Sequence, residues 1–153
     1  MNKVDPLPSL VSIDEDFALW CAQQGTLLRE GRLSALDREN LAEEIESLGR
    51  SERYEIENRL KVLLVHLLKW QYQADQRKAG WKATIREQRL RIARRLRESP
   101  SLKNYPAEIL AEEYGLARAA AADETGLPEE AFPAECPFPV ARLLDVDWLP
   151  ERG

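Results

Sequence analysis

The stretch LKVLLVHLLKWQY, residues 60–72, is apolar on most sides of a helix and determines the predicted fold. A helix that is apolar nearly all round is contacted by several other elements, so this stretch predicts the central helix of a bundle. A basic segment follows it, because residues 77–98 contain nine Lys or Arg and two Glu, a net charge of +7. The remaining residues sum to −12, and the whole chain of 153 residues carries −5. The predicted core helix therefore lies next to the one strong charge asymmetry of the sequence.

Apolar residues recur at helical spacing along most of the chain, and the alternation typical of strands is absent. The fold class predicted is all-α, an antiparallel bundle of four to five helices with an irregular Pro-rich C-terminal tail. Five helices are predicted: Ser12 to Gly31, Ser34 or Asp37 to Gly49, Ser51 to Gln73, Trp81 to Glu98, and Pro106 to Gly126. Ser12 and Glu15 have the spacing of a capping box. Gly49 is also compatible with a kink, which would leave helices two and three nearly continuous.

Three apolar stripes follow from this helical spacing. They comprise Phe17, Trp20, Cys21 and Leu28 on helix one; Leu36, Leu41, Ile45 and Leu48 on helix two; and Trp81, Ile85, Ile92 and Leu96 on helix four. Each stripe predicts the side of its helix that packs against neighbours.

The length fits a single helical domain over residues 1–153. Residues 1–11 are predicted to form an N-terminal extension, and residues 127–153 a tail packed on the bundle, with a short helix near Val140–Leu144. No apolar run approaches the ~20 residues that span a bilayer, and the first residues lack a signal-peptide pattern. We therefore expect a cytoplasmic protein without a membrane partner. Cys21 and Cys136 are too few for a disulfide framework or a zinc site, so free thiols, no metal and no cofactor are predicted.

Six segments occur in fixed order: Asn40–Glu52, His66–Tyr72, Trp81–Arg89, Ser99–Leu102, Glu124–Leu127 and Cys136–Pro137. Together they resemble a bacterial family catalogued as domain of unknown function twenty-nine. The resemblance extends from about Asp14 to Pro150. It implies a small helical protein, and it carries over neither an activity nor catalytic residues.

The basic fourth helix presents a candidate binding face. Its members are Arg86, Leu90, Arg91, Arg94, Arg95 and Arg97. On a helical wheel, Arg86, Arg94 and Arg97 lie opposite the stripe of Ile85 and Ile92, whereas Lys82 and Arg89 lie near that stripe. The face fits contact with an acidic protein or with nucleic-acid phosphates. The alternative is a solvated surface whose arginines, among them Arg86, Arg89 and Arg91, pair with Glu43 or Glu46 of the same chain.

A second candidate is a polar site made of Glu43, Glu46, His66, Trp70 and Trp81. His66 shares a face with Lys69 and Trp70, which predicts that it borders the core. If helices two and three packed antiparallel, the glutamates would approach His66 and allow a general base or a metal ligand. The chain lacks a second histidine and a Glu-x-x-His pair, so a structural histidine is favoured. Trp70, Tyr72 and Trp81 are interpreted as packing residues, with a lined pocket as the alternative.

Three functions are compatible with these features. The leading hypothesis is a non-enzymatic interaction protein whose basic helix and acidic faces contact another protein, with a second copy of itself as a candidate partner. The second is a nucleic-acid-binding accessory protein that uses the basic helix. The third is a small hydrolase or metal-binding enzyme centred on His66 and the glutamates of helix two.

Overall fold

The computed structural model describes residues 9–151, and within that range every regular element is helical. Five α-helices follow one another: α1 (Phe17–Arg29), α2 (Arg38–Tyr72), α3 (Ala79–Glu98), α4 (Tyr105–Thr125) and α5 (Val140–Leu143). Short 3-10 turns lie between them. The predicted all-α class is confirmed. The N-terminal extension predicted for residues 1–11 falls mostly on residues 1–8, outside the described range.

Helix α1 begins later than predicted. Its N-cap is Asp16, whose side chain accepts a hydrogen bond from the backbone N–H of Leu19 at 3.0 Å. Ser12 instead caps a preceding turn, since its Oγ accepts from the backbone N–H of Glu15. The Ser12 start was therefore wrong, because a second capping residue lies four positions further on. The end was predicted correctly: Gly31 follows the helix with a φ of +70°, the left-handed conformation that glycine adopts without strain.

Predicted helices two and three form one continuous helix, α2, with Gly49 in its interior. Of the two alternatives at Gly49, the continuous helix is the one observed. Asp37, immediately before α2, accepts hydrogen bonds from Trp20 Nε1 at 3.0 Å and from Asn40 Nδ2 at 2.8 Å. Its backbone N–H donates to Gln24 Oε1. These bonds fix the start of α2 against α1.

The chain divides into two compact units, residues 1–49 and residues 50–153. In the described part of the first unit, the buried side chains are Trp20, Gln24 and Leu27. The predicted stripes of this unit are only partly buried, because Phe17, Leu28, Ile45 and Leu48 are 50% to 70% exposed. The core role that the periodicity of helices one and two suggested is wrong for these four residues and for Cys21, which is also exposed. The single domain predicted for residues 1–153 stays a prediction.

The second unit contains a three-helix bundle with alternating helix directions. Arg95 Nη1 lies 2.9 Å from Glu52 Oε1 at one end of α3, and Lys69 Nζ lies 4.9 Å from the Trp81 ring centroid at the other. Helix α3 is therefore antiparallel to α2. Helix α4 returns parallel to α2, because its last turn reaches the same Lys69 through Glu124 Oε2 at 2.8 Å. The core is built from the fully buried leucines of α2 with residues of α3, α4 and the C-terminal segment: Leu60, Leu63, Leu64, Leu67, Leu68, Ile85, Ile92, Tyr114, Ala117, Ala121, Phe132, Phe138 and Leu143.

The segment after α4 contributes three side chains to this core, Phe132, Phe138 and Leu143. Phe132 meets the Tyr72 ring edge-on at 5.6 Å between centroids. The Tyr114 hydroxyl donates to the carbonyl oxygen of Pro133 at 2.5 Å. The C-terminal segment is thus packed into the second unit by both ring contacts and hydrogen bonds to its backbone.

Candidate functional site

The predicted binding face lies on α3, where Arg86, Leu90, Arg91, Arg94 and Arg97 are exposed. Leu90 is 47% exposed. Arg91 and Arg94 each pair with a glutamate one turn away on the same helix, both at 2.9 Å. Such pairs neutralise charge locally, so the face is less basic than its arginine count suggests.

Arg95 lies at the edge of this face and connects two helices. Its Nη1 is 2.9 Å from Glu52 Oε1, and its Nη2 is 3.8 Å from Glu55 Oε1. Glu55 also accepts from Arg59 Nε, and Arg59 Nη1 donates to Gln88 on α3. Ion pairing within the chain was predicted with Glu43 and Glu46. The observed pairs of Arg91, Arg94 and Arg95 are with Glu52, Glu55, Glu87 and Glu98.

This pairing weakens the case for nucleic-acid binding by α3. Five arginines of α3 were predicted to contact nucleic acid. Three of them, Arg91, Arg94 and Arg95, form ion pairs with glutamates. Arg86 and Arg97 have no ion pair within residues 9–151. Phosphate contacts need cations that can exchange their partners, and each intramolecular pair competes with a phosphate. The hydrogen bond from Arg94 lowers the pKa of Glu98, which keeps that competing carboxylate charged.

The predicted polar site loses its main geometric premise. Bringing Glu43 and Glu46 to His66 required helices two and three to fold back on each other, and α2 has no turn between them. Glu43 and Glu46 are exposed, whereas His66 is half-buried in the second unit. Among residues 9–151, no group of three His, Cys, Asp or Glu side chains is arranged to hold a metal ion.

His66 makes a local hydrogen bond within α2. Its Nδ1 lies 2.8 Å from the carbonyl oxygen of Val62. Because a carbonyl only accepts, Nδ1 carries the hydrogen and Nε2 is the free acceptor of the neutral ring. Burial lowers the pKa of His66, and nearby Lys69 lowers it further, while Val62 and Glu124 oppose the shift. His66 thus borders the core, as its position beside Lys69 predicted, and its lowered pKa favours the neutral ring.

This lowered pKa predicts an acid sensitivity that depends on His66. The unfolded chain binds a proton near the ordinary pKa of 6.5, whereas the folded state resists it, so stability falls as the pH drops below that value. The free energy of unfolding of the wild type should therefore decrease more steeply between about pH 7 and pH 5 than that of His66→Gln. Urea titrations at several pH values measure both. Parallel pH profiles for the two proteins would remove this role of His66.

Trp70 and Trp81, the aromatic members of the predicted polar site, contact different cations. The guanidinium of Arg77 lies 4.2 Å from the Trp70 ring centroid, and its Nε donates to the Trp70 carbonyl. Trp81 is instead covered by the ammonium group of Lys69. Both rings are half-buried, which fits the packing interpretation.

The two cysteines are free thiols in the structure. Cys21 is exposed and Cys136 is half-buried. Burial raises the pKa of the Cys136 thiol, so it stays protonated at neutral pH, the unreactive form.

Arg89, which the helical wheel placed near the stripe of Ile85 and Ile92, has an anchoring role that the sequence did not predict. It is only 1% exposed, although it belongs to the basic segment. Its Nε donates to the carbonyl of Leu143 at 2.8 Å, and its Nη1 donates to the carbonyl of Trp148 at 2.6 Å. Burial lowers its pKa, opposed by the charge of Asp145. The available signal was its spacing, because Arg89 lies one turn from both Ile85 and Ile92 on the buried side of α3.

A second unpredicted cluster joins α2 to α4. The Tyr105 hydroxyl donates to Glu57, which raises the pKa of Tyr105 to about 12. Glu113 is 7% exposed, and its burial together with the nearby charge of Glu57 raises its pKa. The guanidinium of Arg53 lies 5.3 Å from the Tyr105 ring centroid. The Tyr105–Glu57 hydrogen bond and the Arg53–Tyr105 contact join the two helices, and the surroundings of Glu113 favour its neutral form.

A family model described as a domain of unknown function, DUF29, matches residues 13–149. No curated protein and no solved structure matches the chain. Within residues 9–151, none of the helices combines the length and the apolar character needed to cross a membrane.

Proposed function

This chain belongs to the DUF29 family, and we propose that it is a non-enzymatic helical interaction protein that associates with a second copy of itself. The observation that carries the proposal is an exposed apolar stripe on α2, made of Leu41, Ile45 and Leu48. Ile45 is 65% exposed and Leu48 is 70% exposed. Single exposed leucines are common on soluble proteins, but a stripe at helical spacing is typical of a contact surface.

The three residues lie on one face of the helix. Leu41, Ile45 and Leu48 are separated by four and three positions, the spacing that aligns side chains along one side. Leu41 is half-buried and continues the stripe towards the start of α2. An amphipathic helix with this pattern stabilises a complex when a partner covers the apolar side.

The small core of the first unit supports the same conclusion. Its buried side chains in the described residues are one tryptophan, one glutamine and one leucine: Trp20, Gln24 and Leu27. Small units bury a smaller share of their apolar surface than large ones, and association is one way to increase that burial. Covering Ile45 and Leu48 would add to it.

A second copy is favoured as the partner because one surface can serve both molecules. In a two-fold symmetric pair the same patch meets itself, so an apolar stripe is automatically complementary. The chain also carries opposite charges that two copies can share, with Glu39, Glu43 and Glu46 on α2 and, on α3, Arg97, which forms no ion pair within residues 9–151. Charge pairs of this kind set the orientation of partners more than their affinity.

Substitution of the stripe by acid tests the proposal. Ile45→Glu and Leu48→Glu should shift the protein from dimer to monomer, because each places two charges in an apolar contact. Sedimentation velocity over a range of concentrations measures the assembly state. Leu116→Glu is the matched control. Leu116 lies on α4 and is 53% exposed, so this variant places the same acidic group on a different exposed surface.

The outcomes separate cleanly. Monomeric Ile45→Glu and Leu48→Glu proteins with a dimeric Leu116→Glu protein support self-association through α2. A wild type that sediments as a monomer at every concentration would overturn it, and so would an equal loss of dimer in the control. Circular dichroism of each variant shows that the helices are retained.

A further inference from the structure

A pocket of about 510 Å³ lies between α3 and the C-terminal segment. Its walls include the apolar side chains of Ile85 and Leu149, and its charged lining consists of Lys82, Arg86, Arg89 and Asp147. The volume falls within the range of small-molecule sites. All of these residues belong to the second unit, so the pocket does not depend on the apolar stripe of α2.

The three cations come from one face of α3. Lys82, Arg86 and Arg89 are four and three positions apart, which places them along the same side of the helix. The helical wheel was wrong in placing Arg86 opposite the stripe of Ile85 and Ile92, since Arg86 lines the pocket together with Ile85. Lys82 and Arg86 are exposed, and neither forms an ion pair with any residue in the range 9–151. Asp147 is the single acidic lining residue, so the pocket carries a net positive charge.

Arg89 gives this pocket a buried, incompletely used donor group. Its Nε and Nη1 are bonded to the carbonyls of Leu143 and Trp148. Its Nη2 is buried and has no hydrogen-bond partner among residues 9–151, and no carboxylate in that range lies within ion-pair distance of the guanidinium. Carbonyl oxygens satisfy hydrogen bonds but do not neutralise the positive charge, and Asp145 acts on it without forming an ion pair, so the charge remains costly at a buried site.

We propose that this pocket binds a small organic oxyanion, a carboxylate or phosphate with an apolar body, whose charged end meets Lys82 and Arg86 beside the buried guanidinium of Arg89. Guanidinium groups recognise both head groups through paired hydrogen bonds. The apolar body contacts Ile85 and Leu149. Asp147 opposes the anion and thereby limits its affinity.

Nuclear magnetic resonance with defined probes tests the site. Phenyl phosphate and benzoate share an apolar ring and differ in the head group, whereas phenol has the ring without the charge. Saturable shifts of the backbone amides of residues 82–89 and 146–149 are expected with one or both anions and not with phenol. The tighter of the two anions identifies the preferred head group.

Exposed residues supply variants that leave the core intact. Lys82→Gln and Arg86→Gln should each weaken binding by about threefold to tenfold, because each removes a charge near the anion. Asp147→Asn should strengthen it. Arg94→Gln is the matched control, since it makes the same charge change on the exposed side of α3, outside the pocket lining, and should leave the affinity unchanged.

Several results would overturn the proposal. These are wild-type spectra without saturable shifts for either anion, equal shifts with phenol, or unchanged affinity in both Lys82→Gln and Arg86→Gln. Weakening by Arg94→Gln equal to that by Arg86→Gln would also overturn it, because it would reflect general charge attraction. The assembly state of the wild type is measured separately, so failure here leaves the self-association proposal standing.

Discussion

Replacement of Arg89 by alanine is expected to lower the free energy of unfolding of the second unit by about 3 kcal/mol. The change leaves the carbonyls of Leu143 and Trp148 without their donors and removes a large side chain that is 1% exposed. The variant no longer buries the charge of a guanidinium group, and this offsets part of the lost free energy of unfolding. Urea unfolding followed by circular dichroism measures the difference.

The same substitution should loosen the C-terminal segment before the bundle unfolds. Hydrogen exchange at residues 143–149 is expected to accelerate more than exchange in α2 and α4, because Arg89 holds that segment by its backbone. Arg86→Ala is the control, since Arg86 lies on the same helix but is exposed. It should change stability by less than about 0.5 kcal/mol. Equal effects of the two substitutions would show that Arg89 does not anchor the segment.

Local signals in the sequence were sufficient for the later helices. Pro106 near the start of α4 and Gly126 after its end correspond to the observed bounds, and Gly126 has a φ of +73°. Proline in the first turn and left-handed glycine after the last are features of the chain itself, independent of packing. The predicted start of helix one at Ser12 was wrong because Ser12 and Asp16 are both good capping residues, and the sequence alone does not rank them.

Periodicity alone did not show which apolar helix faces are buried. The wheel of α2 treats Ile45 and Leu64 alike, yet Ile45 is 65% exposed and Leu64 is fully buried. Periodicity shows which side of a helix is apolar, and it does not show whether another element covers that side. The exposed stripe on which the self-association proposal depends was therefore visible only in the structure.

For the candidate sites too, the sequence predicted which residues lie on the exposed side of a helix but not the long-range contacts of a buried residue. The wheel placed Arg86, Leu90, Arg94 and Arg97 on the exposed side of α3, where they lie. It placed Arg89 near the buried stripe but could not predict its anchoring role, because the partners of this arginine are carbonyl groups 54 and 59 positions away in sequence. A buried arginine is rare unless its donors are satisfied, so the expectation for a basic segment is exposure.

Phe132→Ala is expected to cost about 3–4 kcal/mol of unfolding free energy, the range of large-to-small changes in a packed core. Phe132 is 1% exposed, and its ring packs edge-on against Tyr72. Arg118 Nη2 donates to its carbonyl at 3.1 Å, which holds the backbone in place so that the core is less able to close around the cavity. Val140→Ala provides the control, because Val140 lies in the same C-terminal segment but is 39% exposed, and it should cost about 0.5 kcal/mol or less. If the segment were only a surface covering, both variants would unfold at nearly the wild-type urea concentration. A loss confined to Phe132→Ala would instead show that the residues after α4 complete the core that α2 begins.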